Sequence, residues 1–255
     1  MALKHVDLNA DVGESFGPWI LGHDEALFPH ITSANVACGF HAGDPGVMRA
    51  TVALARAHGV AVGAHPGFPD LSGFGRREMR MSPRDVEDLV VYQIGALAAV
   101  AAVEGVRLQH VKAHGALYNM AVTEFALADA IARATAAVDR SLVLLGLPGS
   151  QLLQAGERAG LRTASEVFAD RAYRADGTLV PRTQAGAVIQ DEEVVVQRVV
   201  AMVRERAVVA EDGSRVTLRV DTICIHGDTP GAAQLAARVR AALEAAGMEV
   251  APLSK

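Results

Sequence analysis

The chain has 255 residues, 51% of them apolar and 21% charged, with a net charge of -5. These values argue against a disordered chain and leave ample material for a large core. With 4% aromatic residues and no basic run, they also argue against nucleic acid or an anionic membrane as a general partner.

The first residues have no signal-peptide layout, and the longest apolar stretch, 94–103, is too short to span a bilayer. A cytoplasmic protein is expected, with Cys38 and Cys224 as buried free thiols. Self-association stays open.

In chain order, β-branched runs predict buried strands at 6–8, 32–38, 60–64, 108–112, 142–147, 163–168 and 221–225, with a weaker one at 248–251. Ala-rich runs of helical period lie between most of them. Asp44-Pro45 supplies an N-cap and an N1 proline, and Gly59 closes that helix. Ser82-Pro83 opens another that stops at Gly105, and Thr229-Pro230 opens a last one that stops at Gly247. The polar stretch 170–191 reads as a long loop with a small hairpin around Asp176-Gly177. Strand and helix alternating about seven times predicts α/β architecture with parallel pairing and right-handed crossovers. A distorted TIM-like (β/α) barrel over one domain, 1–255, is the first expectation, and an open doubly wound sheet the second.

The polar residues gather at strand ends. Asp7, Asn9, Asp11 and Glu14 belong to the first strand; Asn35, His41 and Asp44 to the second; His65, Asp70, Arg76 and Arg77 to the third. Lys112, His114, Tyr118 and Asn119 follow the fourth, Ser150 and Gln151 the fifth, Glu166, Asp170 and Arg171 the sixth, His226 and Asp228 the seventh. In a parallel barrel these ends share one mouth. The stretches "CGFHAGDP" and "CIHGDTP" then read as two corners of that mouth. Asp44 is best read as a plain helix cap, whereas Thr229 as cap leaves Asp228 for the site. One histidine at a strand end is ordinarily structural; His41, His65, His114 and His226 after four strands point to a shared pocket. Lys112 at the end of a buried strand needs a carboxylate partner across the barrel or an anionic substrate, and both together are expected. Arg76 suits a carboxylate or phosphate clamp. Histidines with Asp or Glu also suit a divalent metal, but without a compact motif such as HExxH the ligands would have to converge in the fold. No phosphate loop, GxSxG elbow or strand-anchored GxGxxG is present.

Seven ordered segments, "DLNADVGESFGPW", "ANVACGFHAGDP", "GAHPGFPDLSGFGRR", "YQIGAL", "HVKAHGALYN", "EVFADRAY" and "DTICIHGDTP", together resemble the LamB/YcsF family, the A subunits of 5-oxoprolinase. Ala113 stands where that pattern has proline, which removes no functional group. The resemblance implies a barrel similar to the glycoside hydrolase and deacetylase superfamily. It also implies ATP-dependent opening of 5-oxo-L-proline to L-glutamate, with ATP and Mg²⁺, in concert with B and C subunits. The lactam oxygen would be phosphorylated, water would attack with help from a general base, and phosphate would leave. Catalytic candidates are then Asp11, Glu14, His41, His65, Lys112, His114, His226 and Asp228, with His114 or His226 as the base. Substrate-binding candidates are Asn35, Arg76, Tyr118, Asn119, Glu166 and Arg171. Two rivals stay open: a metal-dependent carbohydrate deacetylase or hydrolase, and a non-catalytic metabolite-binding subunit.

Overall fold

A computed structural model describes residues 5–227 and 231–253. Strand β1 (His5–Val12) leads through a short helix α1 (Asp24–Leu27) to β2 (Ser33–Ala37). Helix α2 (Pro45–His58) leads to β3 (Ala61–His65), and α3 (Pro83–Val103) to β4 (Leu108–Val111). Helices α4 (Gly115–Thr123) and α5 (Phe125–Val138) precede β5 (Val143–Gly146), and α6 (Gln151–Arg158) precedes β6 (Arg162–Phe168). After the 170–191 loop come α7 (Glu192–Glu205), β7 (Ala207–Val209), β8 (Arg215–Thr217), β9 (Thr222–His226), α8 (Ala232–Ala245) and β10 (Glu249–Val250).

Seven strands form a closed parallel barrel in the order β1-β2-β3-β4-β5-β6-β9, with β9 returning to β1. The open-sheet alternative is therefore set aside. The weak run at 248–251 is the short β10, which pairs with the start of β1 outside the ring. Strands β7 and β8 form a separate antiparallel ribbon. Strand β1 is much longer than its apolar run suggests. Its residues alternate, with Val6, Leu8, Ala10 and Val12 in the aliphatic layer under the helices and Asp7, Asn9 and Asp11 inside the barrel.

The local signals explain the helix ends. The Asp44 carboxylate accepts from Gly46 and Val47 N–H, and its second oxygen from Gly17 N–H at 2.8 Å. It is thus the cap expected of it, and it also pins the loop after β1. Ser82 caps α3 through Asp85 N–H. That helix runs well beyond the apolar stretch 94–103, and by length and composition it could cross a membrane. In the fold it lies on β3, α2 and α5, burying Val86, Val90, Ile94 and Leu97. Residues Asp228, Thr229 and Pro230 lie outside the described residues, so the expected Thr229 cap and the Asp228 site assignment find no counterpart here.

The barrel interior is more polar than the β-branched runs suggest. Among the described residues, Val143, Leu145 and Ala164 form an apolar cluster separate from the main one. Many of the other inward positions are polar and bonded in sequence. His110 Nε2 donates to Asn35 Oδ1 at 2.7 Å. Asn35 donates to Asn9 Oδ1 at 2.7 Å and to Asp11 Oδ1 at 2.8 Å. Asn9 donates to Thr222 Oγ1, which donates to Asp7. Ser33 and Thr32 hydroxyls also donate to Asp7. Every buried polar atom in this column has to find a partner, so the column fixes its members' orientations. Gly63 makes room for it: a Cβ there would lie 2.1 Å from the His110 ring.

Candidate active site

The column ends below a cavity of about 760 Å³ at the C-terminal mouth of the barrel. Volume and position suit a small-molecule site. Its floor has two chemically distinct walls.

The first wall is built on β1, β4, β6 and β9 around Lys112, which is 2% exposed. Its ammonium lies 2.8 Å from Asp11 Oδ1, 2.9 Å from Glu166 Oε1 and 3.0 Å from Cys224 Sγ. Burial opposes the charge, but Asp11, Cys224 and Glu166 outweigh it and hold the lysine well above its usual range. Lys112 therefore has its carboxylate partners within the fold, donating to Asp11 and to Cys224 and pairing in charge with Glu166. Burial likewise opposes ionisation of Asp11, and the neighbouring His65 and Lys112 outweigh it. Tyr118 sits above this group, its hydroxyl pushed well above the usual range by burial and by Glu166. Phe168 packs edge-on to Tyr118 and stacks on His226. His226 Nδ1 faces Asp170 Oδ1 at 3.0 Å. Burial opposes the Asp170 charge, yet His226 and Arg182 hold its carboxyl at about 2.

The second wall is built on the loops after β1, β2, β3 and β4. His65 donates from Nδ1 to the Lys112 carbonyl at 2.7 Å, and His114 from Nε2 to the Phe74 carbonyl at 2.8 Å. His65 Nε2 lies 3.4 Å from Asp11 Oδ2 and 2.9 Å from His114 Nδ1. His41 stacks flat on His114, with 3.7 Å between centroids and 3° between planes. Glu14 Oε1 is 3.4 Å from His41 Nε2 and 3.7 Å from His114 Nδ1. Burial, followed by the neighbouring histidines, pushes His41 and His114 well below the usual histidine range. The loop closes over His114 because Gly115 lets the backbone approach: a Cβ there would meet the Gly75 carbonyl at 2.5 Å.

Among the described residues, two groups could hold a metal ion: Glu14, His41, His65 and His114, and Asp11, Cys224 and His226. In the second the Lys112 ammonium already contacts both Asp11 and Cys224.

Comparison with known proteins fits this architecture. The profile described as the LamB/YcsF family matches residues 6–255. The chain belongs to the LamB/YcsF family. Proteins named as the A subunit of 5-oxoprolinase in Tolumonas auensis and Bacillus subtilis are 59% and 56% identical to it. The alignments cover 97% and 98% of this chain, and 99% and 97% of theirs. The crystal structure of a lactam utilization protein from Thermus thermophilus superposes with a TM-score of 0.92 at 53% identity, covering 97% of this chain and 99% of that one.

Within this LamB/YcsF barrel, Asp11, Glu14, His65, Lys112, His114, Tyr118 and His226 all line the cavity. His41 sits behind His114, fully buried, and Asn35 lies beneath the floor, where it holds Asp11. The two corners are therefore not equivalent: His226 meets the cavity and His41 does not. Glu166 is also fully buried, reaching the site through Lys112 and Tyr118. Arg76 and Asn119 are at the rim; Arg76 lies over the Phe74 ring. Arg171 lines the cavity, but its guanidinium donates to the Val180 and Ala187 carbonyls and so pins the 170–191 loop. That loop brings Arg174 and Arg182 to the rim, two positions that no sequence signal marks. Nor does the sequence disclose Asp170 as the partner of His226, or Phe168 as more than part of a strand.

Proposed function

We propose that this chain handles the lactam in an ATP-dependent 5-oxoprolinase, cleaving 5-oxo-L-proline to L-glutamate together with B and C subunits. The carrying observation is a cavity whose rim holds Arg76, Arg174 and Arg182 above a floor of acid–base groups. Guanidinium groups suit the substrate carboxylate and the phosphoryl group that activates the lactam. The names borne by the relatives supply the substrate class.

Transfer of the ATP γ-phosphoryl group, with Mg²⁺ accompanying the nucleotide, to the lactam oxygen makes the ring carbon electrophilic. Water then adds to that carbon and loses a proton to a base. The ring opens only if the tetrahedral carbon expels nitrogen. Expulsion of phosphate would regenerate the lactam and waste the nucleotide. The leaving nitrogen takes a proton, an acyl phosphate remains, and a second water releases phosphate and glutamate. One ATP and two waters are consumed.

His226 is the better candidate for this proton traffic. Its Nδ1 is held by Asp170, which orients the ring and leaves Nε2 for the cavity. His114 spends one nitrogen on Phe74 and aims the other at His65. Lys112 acts here by holding Asp11 and Glu166 in place, and Tyr118 and Asn119 are placed to hydrogen-bond the lactam.

The test is release of glutamate and phosphate from 5-oxoproline and ATP, by the chain alone and with the B and C subunits. Coupled release only from the three together is expected. Release by the chain alone would move nucleotide binding into this barrel. No release from the complete set would sink the reading in favour of a deacetylase or a metabolite-binding protein.

A further inference from the structure

We propose that Glu14, His65 and His114 bind one divalent transition-metal ion of the zinc class, with His41 as a supporting fourth residue. Metal binding at these residues does not depend on the lactam reading.

The tautomers are fixed by the backbone. A carbonyl oxygen only accepts, so His65 carries its proton on Nδ1, toward Lys112 O, and His114 carries its proton on Nε2, toward Phe74 O. With each ring singly protonated, His65 Nε2 and His114 Nδ1 present lone pairs; without a metal, a second proton on His65 serves Asp11 Oδ2 at 3.4 Å, and a metal ion would take that proton's place. These two nitrogens face each other at 2.9 Å in rings set at 89°. Two lone pairs at that distance repel unless a cation or a shared proton lies between them. Fixing one ring nitrogen by a backbone carbonyl so that the other meets a metal is a common way of orienting a histidine ligand.

The spacing agrees. Metal–nitrogen and metal–oxygen bonds of about 2.0–2.1 Å in tetrahedral geometry place neighbouring ligand atoms about 3.3 Å apart. His65 Nε2, His114 Nδ1 and Glu14 Oε1 belong to a set lying within 4.8 Å of one another, with contacts of 2.9 Å between the two histidines and 3.7 Å from Glu14 to His114. Two imidazoles and a carboxylate are a ligand set that suits zinc and leaves a coordination position open. His41 is fully buried, and neither ring nitrogen makes a hydrogen bond. In its flat stack on His114 it would have to tilt to reach a metal held in the His114 plane. It is therefore assigned a supporting place. Glu14, His65 and His114 line the cavity, so the open position would face it.

The experiment uses the full chain, stripped with a chelator and dialysed against Zn²⁺ or Co²⁺. One metal per chain by elemental analysis, and ligand-field bands of Co²⁺ in a nitrogen–oxygen site, are expected. His114→Gln and Glu14→Gln should each weaken Zn²⁺ by more than about 100-fold, and His41→Phe, which preserves the stack, by less. Zn²⁺ should also raise the melting temperature of the wild type, a readout that needs no variant to fold. A folded wild-type chain that takes up neither ion would overturn the proposal and leave a shared proton between His65 and His114. Uptake unchanged in folded His114→Gln and Glu14→Gln would overturn it equally.

Discussion

The two walls of the cavity floor solve the burial of polar groups in opposite ways. Around Lys112 the groups are charged and compensated: one ammonium within hydrogen-bonding reach of two carboxylates. Around His114 charge is disfavoured instead: burial pushes His41 and His114 well below the usual histidine range, backbone carbonyls fix His65 and His114, and His41 stacks on His114. Asp11 joins the walls, contacting Lys112 through one oxygen and His65 through the other. The first wall is compensated within the chain, one ammonium being shared between two carboxylates. The second converges nitrogens on a point where a cation would relieve them. Wall chemistry thus separates positioning from ligand capture, although both walls hang on one strand, β1.

The largest way to break this contrast is to remove the lysine. Lys112→Ala would leave Asp11 and Glu166 buried without their shared countercharge. Stability should fall by about 3–5 kcal/mol in urea unfolding, and turnover with the B and C subunits should be lost. Lys112→Met combined with Asp11→Asn and Glu166→Gln should recover much of the stability, because buried ion pairs exchanged for uncharged groups of similar volume are often near neutral. Turnover should stay lost. A Lys112→Ala protein with normal turnover would remove the compensated wall from the mechanism.

His226→Asn comes next. Losing the proton carrier should lower the rate by about 10²–10⁴-fold with little change in melting temperature. Asp170→Asn should have a smaller kinetic effect and a distinctive pH signature. Because the folded Asp170 carboxyl is held at about 2, below its unfolded value of about 3.9, its stabilisation is present above pH ~4 and lost as pH falls toward ~2. The stability difference between wild type and Asp170→Asn should therefore be full at neutral pH and vanish over that window. The histidine wall has the same sign of linkage at a higher pH. His41 and His114 resist protonation when folded, so the unfolded chain takes up their protons first, and stability should already decline as pH falls below about 6.5. If acid costs nothing until pH ~4, the rings of the second wall are not held neutral.

The contrast between walls was only partly open to sequence reasoning. Strands and caps were legible because their signals are local: β-branched runs, Asp44-Pro45, Ser82-Pro83. Convergence of strand ends followed from the parallel topology. What escaped was side-chain direction and distant pairing. Asn9 and Asp11 lie beyond the predicted run 6–8, yet they continue the strand, because these inward positions are polar and hydrogen-bonded. His226 and Asp170, 56 residues apart, carry no spacing that announces a pair. His41 and His226 sit in look-alike corners, but one lies behind a stacked ring and the other at the cavity. Arg174 and Arg182 fall in a loop whose path no periodicity predicts.

Gly63 tests the column that carries both walls. Gly63→Ala would drive a methyl into the His110 ring, and the expected overpacking penalty is about 1–3 kcal/mol. His110 holds Asn35, which holds Asp11, so the loss of stability should be accompanied by a fall in kcat rather than a rise in KM. Unchanged kcat in the destabilised protein would mean that the column supports the fold without tuning the site.

The smallest effect is expected at the rim. Arg182 is exposed on the 170–191 loop beside the cavity, so removing it leaves both walls bonded as before. Water screens an exposed guanidinium, and its contact to a substrate anion should be weak. Arg182→Ala should raise KM for 5-oxoproline or ATP by about tenfold, with kcat nearly unchanged, and the increase should shrink as salt is added. The substrate whose KM moves identifies which anion the rim receives. A fall in kcat without a change in KM would instead assign Arg182 to the acid–base wall, through its hold on Asp170.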